Sequence, residues 1–186
     1  EYYNFLEILF RGHTDAIVET ESKVFLGLLS SLHDGLQGFD VQASSECATA
    51  FDHIFTTAYT WKKRGEESKS AQLLEKHFQQ ATASGDMLQQ IFNTLFNTVL
   101  FENQPNNWSL TRPIFSMLIV KNNLFQTYQK NLASTQPGDA RQRLINAFNI
   151  LMEGTTLQAD QANKERFQAK LQAFRSDILT YCVRPI

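Results

Sequence analysis

Residues 88–100 read LQQIFNTLFNTVL, and seven of these thirteen side chains are large and apolar. They recur at steps of three and four, which is the spacing of an amphipathic helix with one buried face. The same spacing repeats in residues 24–36, 51–59, 144–152 and 167–181. No sustained alternation of apolar and polar residues appears, so the sequence predicts helices and no strands.

The densest apolar run, residues 114–120, has the length of a buried strand. Because no partner strand is in sight, we interpret it as a helix that is apolar on most sides. The predicted helices span residues 2–11, 21–37, 41–63, 69–83, 86–102, 109–121, 123–134, 139–153 and 164–182.

The connections between these helices are mostly short, which favours antiparallel neighbours. Helix pairs recur about every 35 to 45 residues, which is the period of a HEAT-like helical solenoid. The predicted fold is therefore all-α, an α-α superhelix of antiparallel HEAT-like helix pairs. The sequence repeat itself is weak, so an irregular helical bundle is the alternative.

The composition excludes several classes of protein. Hydrophobic residues make up 42% of the 186 residues and charged residues 19%, which suits a packed core. The net charge of −2 predicts neither a nucleic-acid nor an anionic-membrane partner. No apolar run approaches the roughly 20 residues of a membrane span. The chain lacks an initiator methionine and starts inside a predicted helix, so we expect a piece of a longer protein.

No catalytic or cofactor motif is present. The four histidines stand singly along the chain, without the paired spacing of a metal site. Asp52 and His53 are adjacent, so they point about 100° apart on a helix and cannot form a dyad. Cys47 and Cys182 are too far apart for a redox or zinc motif and fit a reducing compartment. We therefore expect neither an enzyme nor a bound metal or cofactor.

One charged connection is a candidate for partner binding. It contains Lys62, Lys63, Arg64, Glu66 and Glu67. The basic residues could contact an acidic partner, but cations at a helix C-terminus are also favoured by the helix dipole alone. A solvated helix end is the alternative.

A second candidate is the corner at residues 107–113, with Trp108, Ser109, Arg112 and Pro113. Proline is tolerated in the first turn of a helix, so a helix capped at Ser109 or at residue 111 is predicted here. We expect Trp108 to be buried and Arg112 to be hydrogen-bonded to the neighbouring helix pair. A contact surface is the alternative to this structural corner.

Several stretches in order carry a family resemblance. Residues 100–113, with Phe-Glu, a short polar loop and Trp-Ser-Leu-Thr-Arg-Pro, resemble the C-terminal region of the exportin-7 family, also called Ran-binding protein 16. Residues 151–154, Leu-Met-Glu-Gly, and residues 166–175 resemble the same region. The resemblance runs from about residue 2 to about residue 180 and is strongest over residues 99–175. Thr111 stands where the family pattern has serine, and the loop at 103–106 is altered.

This resemblance implies a karyopherin of the importin-β superfamily, which carries protein cargo through the nuclear pore with Ran-GTP. It also implies contacts with the phenylalanine-glycine repeats of nucleoporins, and a location in the nucleus, the cytoplasm and the nuclear pore complex. The main Ran-binding repeats of the family are N-terminal and have no counterpart in this segment. A helical-repeat scaffold that binds proteins outside nuclear transport is the alternative function.

The two ends of a solenoid segment should differ, because one end has lost the repeat that covered it. The first helix is expected to expose an apolar face made of Phe5, Leu6, Leu9 and Phe10. The last helix is expected to have a polar outer side made of Lys164, Gln168, Lys170, Gln172 and Arg175.

Overall fold

The computed structural model describes residues 1–65, 68–102 and 105–184. Within these ranges it contains nine α-helices and no strand, which confirms the all-α prediction. The helices are α1 (Tyr2–Val18), α2 (Ser22–Gln37), α3 (Val41–Lys63), α4 (Lys69–Ala83), α5 (Met87–Phe101), α6 (Asn107–Val120), α7 (Asn122–Ser134), α8 (Gly138–Met152) and α9 (Gln161–Ile178). No helix in the described ranges has both the length and the hydropathy needed to cross a membrane.

Local sequence sets several of the helix starts. The Asp40 carboxylate accepts hydrogen bonds from the amides of Gln42 and Ala43, at 2.8 and 3.2 Å, so α3 begins there. Asp160 caps α9 in the same way through the amide of Asn163, and α9 therefore starts three residues earlier than predicted. α1 continues to Val18, because the break expected after residue 11 is only a kink at His13.

The helices form hairpins that stack side by side. α3 packs between α1 and α6 in one layer, and α2 and α5 lie in the other. α3 and α6 run in the same direction, since Ser45 contacts Asn106 and Asp52 contacts Ser116. The short connections α2–α3 and α5–α6 make each of these pairs antiparallel, as a helical solenoid requires.

In the last hairpin, α8–α9, helix α9 packs against α6 in the opposite direction to α3. The rings of Phe115 on α6 and Phe167 on α9 are 5.0 Å apart. Further along α9, the guanidinium of Arg175 donates to the carbonyls of Leu100 and Glu102, just before α6 begins. α9 therefore runs antiparallel to α6, whereas α3 runs parallel to it. Arg175 also satisfies carbonyls at the C-terminal end of α5, where a cation is favoured.

Phenylalanine rings supply the largest side chains of the core that joins the hairpins. Ten of them are almost fully buried, namely Phe10, Phe25, Phe51, Phe55, Phe78, Phe92, Phe96, Phe115, Phe148 and Phe167. Ring pairs link successive helices: Phe55 stacks on Phe78 at 5.0 Å, and Phe148 lies tilted against Phe174 at 4.7 Å. These buried rings are therefore packing residues.

The close approach of α1, α2 and α3 depends on Gly35. A Cβ placed there would lie 2.4 Å from the Cys47 sulfur and 2.7 Å from the Tyr3 ring. Burial raises the pKa of the Cys47 thiol to about 12, so this cysteine is a neutral packing residue.

The prediction for the first helix was partly wrong. Phe5 is 58% exposed and Ile8 45%, so α1 does present an apolar outer face. Leu6 and Phe10, however, are buried at 1% and 0%. They lie on the opposite side of the helix, where Phe10 packs edge-on against Phe25 of α2.

The prediction for the last helix was also partly wrong. Lys164 is buried, and it points inward to α3 and α6 rather than outward. Arg175 is half-buried because it binds the end of α5. Gln172 is exposed as expected, and the exposed polar face of α9 also includes Gln161, Glu165 and Arg166.

Candidate functional site

The predicted corner is built around Asn106 rather than Trp108. Asn106 is only 8% exposed, and its amide donates to the carbonyl of Val41 and the hydroxyl of Ser45, at 3.3 and 3.0 Å. Trp108 is 39% exposed, so the expectation that it is buried was wrong. The corner is therefore held to the start of α3 by a polar side chain, which leaves the indole ring at the surface.

The start of α6 also differs from the prediction. The helix begins at Asn107, two residues before Ser109, and Pro113 lies in its second turn. Proline cannot donate the usual backbone hydrogen bond there. The hydroxyl of Thr111 turns back to the carbonyl of Asn107 at 2.8 Å instead of capping the helix.

Arg112 faces the neighbouring hairpin as expected, but its contact there is an ion pair. Its Nε lies 3.5 Å from Oδ2 of Asp52 on α3, without a hydrogen bond of good geometry. The predicted hydrogen bond is thus replaced by a looser electrostatic contact. This contact joins Arg112 to a buried polar cluster.

The buried polar cluster consists of Asp52, Thr56, Arg112, Ser116 and Lys164. The Lys164 ammonium donates to both carboxylate oxygens of Asp52, at 2.6 and 2.8 Å, and to the Thr56 hydroxyl at 3.0 Å. The Ser116 hydroxyl donates to the same carboxylate. The cluster therefore ties α3, α6 and α9 together at one point. Burial lowers the pKa of Lys164, and the Asp52 carboxylate opposes that effect.

Sequence reasoning missed this cluster. Asp52 was considered only with its neighbour His53, and Lys164 was assigned to the surface. The two residues are 112 positions apart, so no local spacing links them. The available signal was that Lys164 stands three residues before Phe167, on the apolar side of the predicted helix.

Two of the histidines make polar contacts with neighbouring helices. His77 is buried; its Nε2 donates to the carbonyl of Val18 at 2.9 Å and its Nδ1 accepts from the Ser22 hydroxyl at 3.0 Å. His53 lies 3.3 Å from the Glu7 carboxylate, and burial lowers the pKa of its ring. In the described ranges, no group of three or more His, Cys, Asp or Glu residues has the geometry of a metal site.

The charged connection lies at the surface, at the end of α3. Lys62, Lys63 and Arg64 are exposed, and Glu66 and Glu67 lie outside the described residues. Lys63 and Arg64 border a cleft shared with the segment before α9, including Gln158 and Asp160. The structure thus places these cations where a partner could reach them.

Lys62 borders a different surface, an open groove of about 580 Å³ between α3, α4 and the end of α6. Its apolar lining includes Trp61, Leu74, Phe78 and Val120. We call this surface the α3–α4 groove.

Comparison with known proteins finds similar proteins that are named exportin-7 or Ran-binding protein. The chain is 32% identical over 186 residues to Ran-binding protein 17 of Homo sapiens and 29% identical over 187 residues to exportin-7-B of Xenopus laevis. It is 25% identical over 177 residues to exportin-7 of Dictyostelium discoideum. Each alignment covers 95% of this chain.

The chain is thus similar over nearly its whole length to proteins named exportin-7 and Ran-binding protein 17. This finding confirms the predicted resemblance, which runs over nearly the whole chain. The chain spans 17% of the length of each of these relatives. No protein-family model matches it, and no solved structure does so significantly.

Proposed function

We propose that this chain is the C-terminal HEAT-like segment of a nuclear transport receptor that carries protein cargo with Ran-GTP. The observation that carries the proposal is the similarity over 95% of the chain to proteins named exportin-7 and Ran-binding protein 17. The stacked helical hairpins support it, because such arrays offer extended surfaces for protein partners.

In this proposal the segment supplies architecture and partner contacts, and no catalysis or cofactor. The main Ran-GTP site belongs to N-terminal repeats elsewhere in the receptor. The receptor also contacts phenylalanine-glycine repeats of nucleoporins, and it moves between nucleus and cytoplasm through the nuclear pore complex.

Transport is tested with the full-length protein in permeabilised cells. A fluorescently labelled receptor should collect at the nuclear envelope and enter nuclei, while an inert protein of equal size stays outside. Exclusion from both the envelope and the nucleus would contradict the proposal.

We expect the charged connection to contribute to the rim of a partner interface. Reversal of Lys62, Lys63 and Arg64 to glutamate in the full-length receptor should slow association with cargo or Ran-GTP about five- to tenfold at low salt, since rim charges act mainly on the association rate. Surface plasmon resonance at two salt concentrations measures this effect.

A matched control is the reversal of Lys23, Lys130 and Arg141, which are also exposed and make the same change in net charge. This control should leave the association rate near that of the parent. Equal rates for the connection variant and the parent at both salt concentrations would remove the connection from the interface.

A further inference from the structure

The α3–α4 groove combines an apolar floor with a basic rim. The apolar surface that a ligand can reach in it comes from the half-buried Ala58, Trp61, Ala71 and Val120, while Leu74 and Phe78 lie beneath and are almost fully buried. The groove is open to solvent, so a chain segment can lie in it without passing through an opening. Such a surface can accept an apolar side chain at low cost in reorganisation.

Three ammonium groups and one carboxylate surround this floor, those of Lys62, Lys76, Lys121 and Glu75. Lys121 bonds to Glu75 at 2.7 Å, and its ammonium lies 5.5 Å above the Phe78 ring. Lys62 and Lys76 are exposed, and within the described ranges neither has a carboxylate at ion-pair distance. The rim is therefore basic, in a chain whose net charge is −2.

The charges at the rim indicate which kind of molecule the groove can bind. A nucleic acid would require a wider basic field, and the net negative charge of the chain opposes it. A basic or uncharged segment would leave Lys62 and Lys76 without counter-charges. An acidic segment with one apolar side chain matches both the floor and the rim.

We propose that the α3–α4 groove binds a short acidic segment of a partner protein, with an apolar side chain against Trp61 and Val120 and carboxylates against Lys62 and Lys76. The groove has these properties whether or not the chain acts in nuclear transport. Trp61, at the side of the groove, reports directly on occupancy because binding removes water from its ring.

The test uses the 186-residue chain with Trp108→Phe, which leaves Trp61 as the sole tryptophan. The probe is a twelve-residue peptide with a central Leu-Phe pair flanked by glutamates. Two matched peptides carry lysines in place of the glutamates, or alanines in place of Leu-Phe. We expect a saturable shift of Trp61 emission with the acidic Leu-Phe peptide, and binding at least about tenfold weaker with either matched peptide.

Variants of the groove provide the second half of the test. Lys62→Glu with Lys76→Glu should weaken binding about tenfold, whereas Lys23→Glu with Lys130→Glu, the same charge change at distant exposed sites, should not. Ala71→Phe should obstruct the groove and weaken binding by a similar factor. Circular dichroism establishes that each variant keeps its helices.

Fluorescence anisotropy of labelled peptide with the unmodified chain gives an independent reading that does not depend on Trp108→Phe. Equal binding of the lysine peptide, or an unchanged affinity in the groove variants, would overturn the proposal. So would the lack of binding by the acidic peptide in both assays.

Discussion

Replacement of Asp52 by alanine is expected to destabilise the fold by about 3–5 kcal/mol, because it leaves a buried charge without its partner. The Lys164 side chain is 5% exposed and directs its ammonium at this carboxylate. The Ser116 hydroxyl also loses its acceptor. Chemical denaturation followed by circular dichroism should show a lower midpoint for Asp52→Ala with an unchanged slope.

Two further variants test whether the loss of stability comes from the unpaired buried charge. Asp52→Asn combined with Lys164→Met removes both charges at nearly the same volume and keeps an acceptor for Ser116, so most of the lost stability should return. Lys69→Ala breaks an exposed ion pair, in which Lys69 lies 3.3 Å from Glu19, and it should change stability by less than about 1 kcal/mol. If Asp52→Ala were no worse than Lys69→Ala, the buried cluster would not hold the hairpins together.

Phe96→Ala is expected to cost about 3–5 kcal/mol, the range for truncation of a fully packed phenylalanine. Its ring is buried and lies 5.4 Å from Phe92, 5.9 Å from Phe125 and 4.6 Å from Tyr128. The variant therefore opens a cavity where α5 meets α7. Thermal and chemical denaturation measure the loss.

Trp108→Ala is the informative comparison. The indole is 39% exposed, so its truncation should cost about 1 kcal/mol or less, in spite of its larger ring. A loss equal to that of Phe96→Ala would show that the indole ring is packed in the corner, as the sequence predicts. It would contradict the exposed position of Trp108.

The helices were predictable because each buries one face. In α5, the residues at steps of three and four, from Leu88 to Leu100, are all buried. The pairing of short-linked helices also followed from the sequence, since a connection of a few residues leaves little choice but an antiparallel neighbour. Residues 114–120 were correctly assigned to a helix that is apolar on most sides.

Other features depend on contacts that no local pattern contains. The Lys164–Asp52 pair joins residues from the first and last hairpins, and only the reversed direction of α9 brings them together. Trp108 shows the opposite error, in which a large aromatic residue beside a helix start was assumed to be buried. Asn106, two residues earlier, makes the contacts with α3 instead.

We propose above that the chain belongs to a receptor that acts with Ran-GTP, and binding to Ran in its two nucleotide states tests this proposal most directly. Full-length protein containing this chain should bind Ran loaded with GTP at least about tenfold more tightly than Ran loaded with GDP, since the γ-phosphate holds the switch loops that such a receptor would read. Isothermal titration calorimetry gives both affinities. A clear preference for the GTP state is the result we predict, and equal affinity for the two states, or binding to neither, would contradict the account.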